Sequence, residues 1–214
     1  MPGTDELVGG LVRGLEPVRP IPRLRTVAAA ALALGAVAAA VVLGIRGLRP
    51  DIVAGTFRPS VVSIAVGLVV TALGGIAVSL GSAVPGRERV ARFGVVGLLG
   101  GLALSAGAAG WGLFSMGAAA WEGFGFECLS IAFLAGLLPG VALLIFLIRA
   151  FPTRPNAALA CACGGAVALG AFSAHASCPA MGGLHVLLGH ALAPLFGGAV
   201  LSLVLYPVLQ RLRR

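Results

Sequence analysis

Seven side chains in this sequence could do thiol or metal chemistry: Cys128, Cys161, Cys163 and Cys178, with His175, His185 and His190. A thiolate is a nucleophile, a redox group and a soft-metal ligand, and a neutral imidazole is its usual companion on a borderline ion. Cys161 and Cys163 stand two apart. On a helix they point about 200° from one another and cannot readily bond to each other, so they read as small buried apolar residues. Cys128 and Cys178 can pair only if the fold brings their Cα atoms within roughly 7 Å. They are then either a redox-active or structural pair, or small apolar filler. With His175 and His185 they form a donor set for a soft or borderline metal, at spacings that match no standard zinc pattern. His190 follows His185 by five positions, about 140° around an ideal helix. It is therefore expected outside the set, as a hydrogen-bonded packing residue. Ser115, set among glycines in Gly112–Gly117, has no base that can be placed beside it and reads as packing. No enzyme and no cofactor are expected.

Six apolar runs must position these groups: about 26–45, 60–84, 93–120, 128–148, 157–174 and 184–206. About 20 apolar residues in a helix cross a hydrocarbon core of roughly 30 Å. In lipid such segments must be helical, because only a helix satisfies its own backbone hydrogen bonds. The chain is 59% hydrophobic and 10% charged, which leaves no room for a separate soluble domain. The expected fold is all-α, a polytopic membrane protein built as a bundle of six transmembrane helices spanning 26–206. A polar arm, 1–25, precedes it and a basic tail, 207–214, follows. The first run begins after an arginine-bearing segment and is too long for a signal peptide, so it is expected to be retained. Pro139 and Pro194 should kink the fourth and sixth spans. Neither span holds a charge, which argues against a pump. Gly97 and Gly101 form a small-xxx-small pair in the third span, and Trp111 and Trp121 suit its outer end.

The chain has fifteen arginines and no lysine, and no arginine lies within a run. With a cytoplasmic N-terminus, twelve of them fall inside and three, Arg46, Arg49 and Arg58, fall outside. The positive-inside bias thus predicts both termini in the cytoplasm. Cys128, His175, Cys178 and His185 then face outward, which in a bacterial inner membrane is the oxidising side. The net charge of +8 is accounted for by membrane lipid headgroups, without direct nucleic-acid binding.

In the arm, Thr4 is a candidate N-cap, with Asp5 and Glu6 in the first turn. Leu7, Val8, Leu11, Val12 and Leu15 recur at helical spacing. Gly9, Gly10 and Gly14 weaken the helix, and Pro17, Pro20 and Pro22 end it. The stripe suits either the cytoplasmic leaflet or a soluble partner.

Several stretches taken in order resemble one family. They are Asp5-Glu-Leu-Val, Leu15-Glu-Pro-Val-Arg-Pro-Ile-Pro22, Gly47-Leu-Arg-Pro-Asp51 and Ala83-Val-Pro-Gly-Arg87, then Cys128, Arg149 with Pro152-Thr-Arg-Pro155, and His175 with Cys178-Pro179. Together they are similar to the NrsF-type family of bacterial six-helix membrane anti-sigma factors, along almost the whole chain. The resemblance implies a protein that holds an extracytoplasmic-function sigma factor at the inner membrane until a stress is sensed outside. It implies sensing by Cys128 and Cys178, and it shifts the arm toward docking through Asp5, Leu7, Val8, Leu11 and Leu15. It also accounts for the outer arginines, which surround the family's Gly-Leu-Arg-Pro-Asp loop. Cys161 and Cys163 are additions to the family pattern. A small transporter or a membrane thiol-redox protein using the same cysteines is the alternative.

Overall fold

The computed structural model describes residues 3–13, 20–56, 58–115, 123–150, 152, 154–180 and 182–212. Gly14, Leu15, Pro17, Arg19, Trp121, Arg213 and Arg214, which figure in the expectations above, lie outside the described residues. All regular structure among the described residues is helical. Helix α1 covers Thr4–Arg13, α2 Leu24–Arg46 and α3 Pro50–Val53. The long helices α4 Pro59–Ser82, α5 Glu88–Ser115, α6 Phe126–Ala150 and α7 Pro155–Ser177 follow. Proline opens α3, α4 and α7, where its missing N–H is harmless and its fixed φ suits the first turn.

Helices α2, α4, α5, α6 and α7 are 23 to 28 residues long, roughly 35 Å or more, and with the last helical segment they make six long enough and apolar enough to cross a membrane. Leucine, valine and phenylalanine side chains such as Val41, Val96, Phe93 and Leu134 are exposed on their outer faces. That is the surface of a protein solvated by lipid.

Helix α7 is the most buried of the six and packs against α2, α4, α6 and the last segment. Its buried residues are almost all alanine, glycine, serine or cysteine. With lipid outside there is no hydrophobic gain from joining helices, so close backbone packing must hold them. Gly170 lets α7 lie against Ala132 and Gly136 of α6, and Gly165 meets Gly75 of α4. The α4–α5 seam works the same way. Gly67, Gly74 and Gly81 face Gly101, Gly94 and Ala91 at seven-residue steps. The expected Gly97–Gly101 pair lies in this seam: Gly101 meets Gly67 and Thr71 with no room for a side chain, and Gly97 faces Gly74 with ordinary clearance.

The last span is not one kinked helix. It consists of α8 (Gly183–Val186), a π turn (Leu187–Ala191), α9 (Ala193–Phe196), a second π turn (Gly197–Leu201) and α10 (Ser202–Arg211). Pro194 lies in the first turn of α9 and cannot donate a backbone bond to the turn before it. The chain widens there instead. The Leu192 N–H reaches back five residues to the Leu187 carbonyl, at 2.9 Å.

Candidate functional site

One end of the bundle carries the end of α2, α3, the starts of α4, α6 and α8, and the end of α7. Cys128 sits in the first turn of α6 and Cys178 directly follows α7. His185 is on α8 and His190 is in the first π turn. The Sγ atoms of both cysteines and a ring nitrogen of both histidines all lie within 4.8 Å of one another. Cys178 Sγ is 3.3 Å from His185 Nε2. Cys128, Cys178 and His190 are buried, at 2%, 3% and 0% exposure, and His185 is partly exposed. Both thiols are free, and they pack with Ala174. Gly125, at φ 73°, passes so close to the His185 carbonyl and Gly189 that no side chain fits, which lets the start of α6 lie on the π turn.

The quartet differs from the expected one by an exchange of histidines. His175 does not join it. Its Nε2–H donates to the Val61 carbonyl at 3.1 Å, and its ring stands edge-on to His190 with 5.3 Å between centroids. His190, expected to point away from His185, lies with its ring centroid 5.4 Å from that of His185. The 140° separation assumed ideal α geometry. A turn with i→i+5 bonding instead brings residues five apart onto one face. The signal was in the sequence, since Pro194 four residues after His190 removes the bond an α-helix would need there.

Electrostatically the site is poised around Cys178. A thiolate there accepts a hydrogen bond from the Cys128 thiol, which holds Cys178 below its ordinary range against the opposing effect of burial, and His190 acts in the same direction. Among the described residues, neither ring nitrogen of His190 nor Nδ1 of His175 makes a hydrogen bond of good geometry, although all three are buried.

Of the three arginines at this end, Arg49 is buried and Arg46 and Arg58 are exposed. Arg46 pairs with Glu127 and so ties α2 to α6 beside Cys128. Arg49, 1% exposed, makes a two-pronged pair with Asp51, both bonds 2.9 Å, and its backbone N–H donates to Ala176 at 3.0 Å. That pairing holds the Asp51 carboxyl below the usual carboxylate range. Arg58 edges a cavity of about 350 Å³ whose wall includes His175, Ser60 and Ser115. The Ser115 hydroxyl donates to the Gly112 carbonyl.

The other candidates are dispersed. Cys161 and Cys163 lie in the first half of α7, half-buried and buried. In α1, which begins at Thr4 rather than after it, Val8 and Val12 are exposed. Asp5, Leu7 and Leu11 belong to α1, but their side chains, like Leu15, lie outside the described residues.

A family model described as NrsF, negative regulator of sigma F, matches residues 11–211, nearly the whole chain. No curated protein and no solved structure matches it.

Proposed function

The chain belongs to the NrsF family of negative regulators of sigma F, and from that premise we propose that it holds an extracytoplasmic-function sigma factor at the bacterial inner membrane and frees it when its outer face meets stress. Both termini are cytoplasmic in this reading, supported by the twelve arginines that then lie inside. The arm docks the sigma factor through α1 and the residue Leu15 beyond it, with Leu7, Val8, Leu11 and Leu15 entering an apolar groove of the partner and Asp5 at its polar edge. Exposure of Val8 and Val12 supports this role. The arginine-bearing turns around Arg87–Arg92 and Arg149–Arg154 add charge on the same side.

Sensing belongs to Cys128 and Cys178, and the observation that carries it is their convergence from two helices on one buried cluster. Chemistry at the thiols changes the fit between the start of α6, the end of α7 and α8. Helix α7 contacts α2, α4, α6 and the last span, so its displacement alters the cytoplasmic surface. Co-purification tests the docking half. The full chain retains a sigma factor through membrane extraction, and deletion of residues 1–16 releases it. A complex that survives the deletion refutes the docking role.

A further inference from the structure

We infer that Cys128, Cys178, His185 and His190 are the four ligands of one zinc ion, bound in the resting protein. This deepens the sensing role proposed above and rests on that reading for its regulatory meaning.

The donor set is that of closed structural zinc sites, two thiols and two imidazoles with no carboxylate among them. Zinc bonds of about 2.3 Å to sulfur and about 2.0–2.1 Å to nitrogen place tetrahedral ligand atoms roughly 3.3–3.8 Å apart. The four donors already stand within 4.8 Å of one another, and one pair is at 3.3 Å. Contraction by about an ångström, within the reach of side-chain rotation, completes the shell. Calcium and magnesium require oxygen ligands and are excluded by chemistry.

Charge balance points the same way. Both cysteines bind as thiolates, and the two thiolates neutralise the dication while both imidazoles stay neutral. The assembly carries no net charge, as a buried position demands. Coordination also gives His190 a role for its orphaned nitrogens. One ligates the ion and the other becomes an N–H donor; the His175 ring stands edge-on beside it, 5.3 Å between centroids, with Nδ1 left as an acceptor because its Nε2–H is committed to Val61. His175 is thereby a positioning residue behind a ligand, a partnership that orients the ring and raises its basicity. With four protein ligands no coordination position is open, so the ion joins helices and does no catalysis. It pins the starts of α6 and α8 to the end of α7.

The test uses the full chain purified in detergent without chelator. Elemental analysis is expected to find about one zinc per chain, and cobalt(II) replacement to give tetrahedral d–d bands with thiolate charge transfer. Cys178→Ser and His185→Ala abolish the thiolate–cobalt spectrum or weaken binding at least tenfold. His185 is partly exposed, so its variant folds even if a change at buried His190 does not. His175→Ala keeps the spectrum and loses about 10–100-fold in affinity. Membrane-impermeant thiol reagents label Cys178 faster once a chelator has removed the ion. The inference is overturned if the wild type holds no zinc and gives no thiolate–cobalt bands, or if it holds copper, or if His185→Ala leaves the spectrum and affinity unchanged. A metal-free protein that still binds a sigma factor, and loses it on thiol modification, overturns the zinc site alone. A protein with the cobalt spectrum but no sigma factor overturns the regulator reading alone.

Discussion

Replacing Asp51 by asparagine should loosen the end of the bundle that holds the cysteines. The Arg49 side chain is 2% exposed and its carboxylate partner 27% exposed. Removing one partner of a fully buried ion pair costs about 3–5 kcal/mol, because the other charge is left in a poor dielectric. Asp51 is partly wet, so water recovers some of that loss, and about 1–3 kcal/mol is the expected cost. The effect reaches the thiols because the Arg49 backbone is bonded to Ala176, two residues before Cys178. Reversible denaturant titration in mixed micelles, read by helix signal, gives the stability. The rate of Cys178 labelling gives the local opening, and it should rise. The double variant Arg49→Met with Asp51→Asn removes the buried charge as well, so it should be closer to wild type than Asp51→Asn alone. An Asp51→Asn protein as stable as wild type, or a double variant worse than the single one, refutes the assignment of Arg49 as a buried charge held by Asp51.

Acid should mimic that substitution. Arg49 depresses the Asp51 carboxyl, so the pair's contribution is full above the ordinary carboxylate pKa and is lost as pH falls through the depressed value. A pH series of the same titration checks the slope. Gly74→Val puts a Cβ 2.2 Å from the Leu98 backbone nitrogen and should abolish recovery of folded protein, whereas Gly97→Ala, with 3.5 Å of clearance, should be tolerated; detergent melting separates them. Val8→Asp with Val12→Asp should cut sigma-factor retention by at least tenfold in co-purification while leaving the bundle's melting unchanged, since both side chains are exposed.

The six apolar helices were legible because run length and the absence of charge within the runs are dictated directly by the hydrocarbon layer. The convergence of Cys128 and Cys178 was legible only as a possibility, since their distance depends on how α6 and α7 pack. That packing is written in glycines such as Gly136 and Gly170, whose pairing no single sequence reveals. His190 departs from its expected place for a definite reason. Ideal helical periodicity fails across a stretch where Pro194 forces a π turn, and one extra residue per turn rotates His190 onto His185's face. Its place in the set was taken by His175, which is near in sequence to Cys178 but points its Nε2 at Val61. Arg46, Arg49 and Arg58, expected outside, run against the tally of charge. In the fold Arg46 and Arg49 are joined to Glu127 and Asp51 at the helix ends.

The most direct measurement follows the sigma factor itself. Membranes containing the full chain and its bound sigma factor are exposed to a membrane-impermeant thiol oxidant, and the soluble fraction is assayed for released sigma factor. Oxidant-dependent release from wild type, together with no change on oxidant in Cys128→Ser and Cys178→Ser, is the predicted result. An oxidant-dependent release that is equal in the wild type and both serine variants, or absent from the wild type, contradicts sensing by the cysteine pair.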